Sequence, residues 1–355
     1  MIIGIVKVFL PSIFGFIIGI ALTPALTDFL YKHKMWKKKA GKVDSLGNEA
    51  VIFNELHKER EVNTPRMGGV IIWISAAITT TILWLISRLT PAGILDNLDF
   101  VSRSQTWIPF ATLILGGLVG LIDDYFEIRE KSRGGLSLKK RLLIVGTIAL
   151  LCAGWFYFKL DISSIGVPFS LPNLEIGILF IPLFVFVTLG LYAGGVIDGI
   201  DGLAGGIFAI IFAAYAGIAF QQQQIDLAAF CALVVGAILA FLWFNIPPAR
   251  FYMSETGSMG LTITLAIVAF MTDTLGEGHG LIVLPIIAFP LVITALSSAL
   301  QVTSKKLRNG KKIFKIAPLH HHFEAIGWPA SKVTMRFWVI GVICAVIGMT
   351  IALMK

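Results

Sequence analysis

The chain has 355 residues, 56% of them hydrophobic and only 14% charged, with a formal net charge of +8. Soluble globular domains carry roughly 25% charged residues and lack long uninterrupted apolar runs, so this composition excludes a soluble enzyme. In a soluble chain the surplus of Lys and Arg would suggest nucleic acid; here it is what the cytoplasmic loops of membrane proteins carry, and no nucleic acid partner is expected.

Ten apolar runs follow one another and predict an all-α polytopic membrane protein with ten transmembrane helices. They cover Val8–Leu26, Met67–Ile86, Trp107–Ile122, Leu142–Phe158, Ile178–Tyr192, Leu203–Phe220, Leu227–Phe244, Ser258–Met271, Leu281–Ala299 and Phe337–Met354. Lipid offers the backbone no hydrogen-bond partners, so each run is expected to be a helix. Period-two alternation, the mark of a barrel, is absent. The first run has no small-residue cleavage site and reads as a retained span. Cys152, Cys231 and Cys344 lie inside apolar runs without metal or disulfide spacing, and read as small buried hydrophobes.

Ten crossings put both termini on one side. Segments 31–66, 123–141, 193–202, 245–257 and 300–336 then share the other side, and they hold every Lys and Arg except Lys7, Arg88, Arg103, Lys159 and Lys355. The positive-inside rule places those five segments in the cytoplasm and both termini outside. The outer loops are short and look inert; Gln221-Gln222-Gln223-Gln224 reads as a plain polar cap. Residues 1–355 read as one membrane domain, with 31–66 and 300–336 as the places for structure beyond the bilayer. Internal repeats, the mark of many transporters, are not evident.

Four polar clusters all fall in the cytoplasmic set. Asp123-Asp124-Tyr125 sets two carboxylates side by side at a membrane boundary, where their repulsion calls for a divalent cation or a cationic side chain; a solvated helix end is the alternative. In Asp198-Gly199-Ile200-Asp201-Gly202 two acids three apart share a face if the turn is helical, and the glycines let backbone approach a ligand. The run Asn245 to Ser258 brings two prolines, an aromatic pair and Glu255, which is either a metal ligand or a helix N-terminal charge. Pro318-Leu319-His320-His321-His322-Phe323-Glu324 carries three consecutive histidines, able to bind metal, donate to phosphate or move protons near neutral pH; a solvated patch is the alternative. Carboxylates for a hard cation such as Mg²⁺, with histidine and basic groups for phosphates, suit phosphoryl transfer at a membrane surface.

At these clusters the sequence resembles the phospho-N-acetylmuramoyl-pentapeptide transferases, within the polyprenyl-phosphate N-acetylhexosamine-1-phosphate transferase superfamily. Thr64-Pro65-Arg66-Met67-Gly68-Gly69, Asp123-Asp124-Tyr125, Gly135-Leu136-Ser137, Asp198 to Ala204, Asn245 to Ser258, Pro318 to Glu324 and Gly327-Trp328-Pro329 match that family's motifs in order over nearly the whole chain. The triple histidine with Phe323-Glu324 is the most specific of them. The resemblance implies a Mg²⁺-dependent phosphoglycosyl transferase of the bacterial inner (plasma) membrane. It would move phospho-MurNAc-pentapeptide from UDP-MurNAc-pentapeptide to undecaprenyl phosphate, giving lipid I and UMP, with a homodimer as a candidate assembly.

By matching position, Asp123 and Asp124 would handle the lipid phosphate and its proton. Asp198, Gly199, Asp201 and Asn245 would line the uridine-diphosphate site, Tyr252 would stack on uracil, and Arg141 would bind substrate. Glu255, with Asp123, would hold Mg²⁺, and His320, His321 and His322 would contact the sugar-phosphate side. The chain departs from the family pattern at several positions. Glu255 and Ser254 replace Asp and Gly, Glu127 replaces Lys, Gly195 replaces Asn, Arg66 replaces Thr, Glu61 replaces Lys, and Arg141 replaces Lys. Three other readings stand beside this one. They are a UDP-N-acetylglucosamine-type transferase, a transporter with ionisable groups at mid-membrane, and a membrane scaffold that binds no nucleotide.

Overall fold

The structure is a computed structural model and describes residues 2–38, 41, 54–55, 62–89, 99–101, 106–129, 135–169 and 172–354. Glu61, Arg103, Lys131 and Lys355 lie outside the described residues. The first helices are α1 (Ile2–Lys32), α2 (Val70–Leu89), α3 (Trp107–Arg129), α4 (Leu138–Lys159) and α5 (Phe180–Gly194). Then come α6 (Leu203–Gln221), α7 (Ile225–Asn245), α8 (Ser254–Met271), α9 (Leu284–Ile287), α10 (Phe289–Leu307), α11 (Leu319–Ala325) and α12 (Ala330–Leu353). Among the described residues, 9 helices are long and apolar enough to cross a membrane, namely α1 to α8 and α12.

The predicted span Leu281–Ala299 is two helices instead. Pro290 has no N–H to continue a helix but suits a first turn, so α9 stops and α10 starts afresh beside it. Beyond Leu296 the α10 sequence carries Ser297, Ser298, Gln301, Ser304, Lys305 and Lys306, which leaves it short of the apolarity of a crossing. The polar side of α10 organises the segment that follows. Gln301 Oε1 accepts from the N–H groups of Ile313 and Phe314, its Nε2 donates to Phe314 O, and Ser297 Oγ accepts from Leu319 N.

Helix α8 is the core of the bundle, buried from Thr256 to Met271. It packs against α3, with α2, α5 and α6 also against it, while α1 packs on α7 and α12 on α6. The α3–α8 contact depends on small residues. A Cβ on Gly120 would sit 2.0 Å from Glu255 O, and one on Gly116 would sit 2.7 Å from Gly260 Cα. Lipid tails are as apolar as the helices, so helices in a bilayer are held by close packing of this kind. The outward faces are apolar, with Phe9, Ile13 and Ile17 exposed along α1. Cys152 and Cys231 are buried as expected, whereas Cys344 is only partly so.

The loops at the C-terminal end of α8 hold more structure than their composition suggests. β1 (Ser164–Ile165) and β2 (Leu174–Glu175) pair antiparallel, with Ser164 opposite Glu175. Asp273 fastens this hairpin to the bundle, accepting from Gly166 N at 2.8 Å and from Leu281 N at 3.1 Å. Burial pushes its carboxyl up to about 6, against the opposing pull of those backbone donors. The glutamine run is not a bare cap either. Gln222 and Gln224 donate to Thr272 O and Met271 O, carbonyls at the α8 C-terminus that lack helical partners. Replacing Asp273 by Ala would strand two buried N–H groups, at about 1–3 kcal/mol each. The expected result is a lower melting temperature in detergent, with Asp273→Asn falling between mutant and parent.

Candidate active site

The site lies at the N-terminal end of α8, where the motif-bearing segments converge. Pro65 to Gly69 runs alongside residues 252 and 253: Tyr252 N donates to Pro65 O, Gly68 N to Tyr252 O and Gly69 N to Met253 O. Asp124, on the last turns of α3, reaches the first turn of α8. Its Oδ2 accepts from Thr256 N at 2.9 Å and Thr256 Oγ1 at 2.6 Å. A helix N-terminus has unpaired N–H groups and a positive dipole end, which makes a buried carboxylate tolerable there. Asp124 is 0% exposed, and its Oδ1 has no hydrogen-bond donor.

Asp123 is also buried, and the loop that follows α3 folds back over it, with Leu136 N donating to Asp123 Oδ1. Its other oxygen meets Arg141, from the first turn of α4. The Arg141 Nη1 lies 3.6 Å from Asp123 Oδ2 and donates to Glu255 Oε1 at 2.6 Å. One guanidinium nitrogen thus stands between the two carboxylates expected to share a cation. Tyr192, at the end of α5, donates to the other Glu255 oxygen at 3.5 Å.

The two acids of the Asp-Gly-Ile-Asp-Gly segment are not on one helical face. The 3-10 turn Gly195–Ile197 ends before them, and residues 198–202 form turns. Asp198 Oδ2 accepts from Ser254 N at 2.7 Å, and Asp201 Oδ2 accepts from Ala249 N at 3.1 Å. Asn245 spans the same junction: Gly202 N donates to its Oδ1 at 2.9 Å, and its Nδ2 donates to Phe251 O at 2.8 Å. These three side chains therefore shape the 245–257 loop against the 198–202 turn. Tyr252 is half-buried beside them.

The histidines join the same assembly. A Cβ on Gly199 would fall 2.5 Å from His320 Nε2 and 2.6 Å from His321 Nε2, so only glycine fits there. His320 is 0% exposed, and its ring centroid is 4.3 Å from that of His321. His321 Nδ1 pairs with Glu324 Oε2 at 2.7 Å, which explains the acid that ends the motif three residues later. His322 faces another way, with Lys315 N donating to its Nδ1 at 3.2 Å. A continuous path leads from His320 and His321 through Gly199, Asp198 and Ser254 to Arg66 and Asp124.

A profile for glycosyl transferase family 4 matches residues 106–273, which contain both aspartate pairs and Glu255. Relatives align far beyond that stretch. A phospho-N-acetylmuramoyl-pentapeptide-transferase from Anoxybacillus flavithermus is 35% identical over 342 residues, 95% of each chain. The chain belongs to the phospho-N-acetylmuramoyl-pentapeptide-transferase family. Enzymes of that name from Listeria innocua and Bacillus subtilis are each 34% identical, with 96% and 95% of the chain aligned. Family membership covers all the segments that build the site, from Arg66 to the histidines. Tyr192 and Thr256 were not singled out from the sequence. Tyr192 carries one signal in the sequence, a phenol closing an otherwise apolar run, and Thr256 lies within the Asn245 to Ser258 motif.

Proposed function

We infer that the chain is a Mg²⁺-dependent phosphoglycosyl transferase of the bacterial inner membrane. It passes phospho-N-acetylmuramoyl-pentapeptide from its UDP carrier to undecaprenyl phosphate, yielding lipid I and UMP. The observation that carries this reading is the Arg141 guanidinium seated between the carboxylates of Asp123 and Glu255, with the adjacent Asp124 facing a second guanidinium, that of Arg66. The donors fit a hard divalent ion. Among the described residues no three His, Cys, Asp or Glu side chains are grouped to hold a metal, but Mg²⁺ typically takes one or two carboxylates and completes its shell with phosphate and water. Asp123 and Glu255 would hold it, Arg141 swinging toward the diphosphate. When bound, the ion neutralises charge that builds on the phosphates.

The residues of the chain then divide the work. The lipid phosphate oxygen forms a bond to the phosphorus that bears the muramoyl sugar, the bond from that phosphorus to the bridging oxygen breaks, and UMP departs. Asp124, whose Oδ1 has no donor, takes the proton of the lipid phosphate. Arg141 and the paired histidines offer charge and donors to the diphosphate, in the manner of positioning groups in phosphoryl transfer. Asp198, Asp201 and Asn245 hold the loop that presents Tyr252 to uracil. This end of the bundle faces the cytoplasm, and the exposed apolar stripe of α1 faces lipid or the second copy of a homodimer.

Purified protein with undecaprenyl phosphate should release UMP from UDP-MurNAc-pentapeptide, lose that activity in EDTA and regain it with Mg²⁺. Turnover of UDP-N-acetylglucosamine in its place would move the chain to the simpler transferase class. Binding of neither nucleotide would leave only a scaffold.

A further inference from the structure

Two charged residues next to the site, Arg66 and Glu127, meet in space. Arg66 Nη1 lies 3.1 Å from Glu127 Oε1, and Lys37 Nζ lies 3.0 Å from the same oxygen. The Arg66 Nε stands 3.7 Å from Asp124 Oδ1 and donates to Ser254 Oγ at 3.2 Å. The Arg66 backbone is itself tied down, its N–H donating to Met35 O at 2.8 Å. One guanidinium thus lies between two acids of α3 that are three residues apart and share a face. Without it those acids would repel each other.

We propose that Arg66 and Glu127 act as one charge pair that positions Asp124. Arg66 is the cation that positions Asp124 for the lipid phosphate, and it comes from the approach to α2 instead of from α3. Glu127, with Lys37 behind it, is the anion that holds Arg66 in place. The proposal rests on the transferase reading above. Two features of the geometry argue for it. Asp124 is fully buried with Oδ2 committed to Thr256, so the direction of Oδ1 depends on the cation in front of it. A lysine at 127 would meet Arg66 and Lys37 together, so Arg66 in this position requires an anion at 127.

The test is a double-mutant cycle on the full chain in detergent, with Arg66→Thr, Glu127→Lys and both together, read as UMP release at varied substrate. Arg66 acts through Asp124, so each single change should lower kcat by about 10- to 100-fold, with the nucleotide KM little altered; contacting residues couple on this scale. The double variant should recover about tenfold over the worse single variant, with Lys37 limiting the recovery. Arg66→Lys should keep more kcat than Arg66→Thr. If Glu127→Lys does not fold, judged by thermal unfolding, the neutral cycle of Arg66→Gln and Glu127→Gln replaces it; there the double variant should lose no more than the worse single one. Additive losses in the cycle, unchanged kcat in both single variants, or a change confined to nucleotide KM would overturn the pair while leaving the transferase reading intact. Absence of turnover in the parent protein would overturn that reading, and this proposal with it.

Discussion

Replacing Asp123 by Asn or Glu255 by Gln is expected to lower UMP release by about 10²- to 10⁴-fold, the range that a positioned acid, base or charge contributes. The amides keep side-chain size, so packing around α3 and α8 is retained. They remove the charge that Arg141 bridges, and with it the site for a divalent ion. Arg141 and Glu255 are only half-buried, so removing one partner should cost less than the ~3–5 kcal/mol of breaking a fully buried pair, and thermal unfolding belongs beside each rate. Raising Mg²⁺ separates the roles. If Glu255 holds the ion, Glu255→Asp should need more Mg²⁺ for half-maximal rate, because one methylene is lost from a geometry built for Glu. A Mg²⁺ response identical to that of the parent in both Glu255 variants would remove it from the metal site.

Replacing Gly120 by Val should abolish activity and destabilise the bundle. The new Cβ would start 2.0 Å from Glu255 O, on backbone that has no side-chain rotamer to yield. Overpacking in a filled core typically costs about 1–3 kcal/mol; here the displaced group is the first turn of α8, which carries Glu255 and Thr256. Both the Asp124–Thr256 bonds and the Arg141 bridge would be pulled apart together. Gly190, which has open space around its Cβ position, is the control. Gly190→Val should leave turnover within a few fold. Parent-like melting and turnover in Gly120→Val would mean that the α3–α8 contact is looser than the geometry indicates.

The apolar runs were legible as helices because lipid leaves the backbone no other way to satisfy its hydrogen bonds. Nine of the ten runs lie within or largely along single long helices, while Leu281–Ala299 does not. Its mean apolarity hid what Pro290 and the Ser297, Gln301, Ser304 side of α10 do locally. The outer loops read as inert because composition is silent about Asp273 reaching Gly166 across more than a hundred residues. At the site, the identities of Asp123, Asp124, Glu255 and the histidines stood out as acids and imidazoles too costly to strand beside apolar helices. Their partners did not stand out. Arg66 and Glu127 looked like two unrelated departures, and Tyr192 like the end of a span.

Residue type and order along the chain therefore sufficed for the class of protein, most of its helices and the chemistry its polar clusters can perform. These follow from solvation, which acts on each segment almost independently. Which acid faces which cation was settled only when the helices packed, because Coulomb and hydrogen-bond energies turn on separations of a few ångströms between segments far apart in sequence. Glycines on α3 bring Asp124 to Thr256, and that approach in turn sets Arg66 against Glu127 and Arg141 between Asp123 and Glu255.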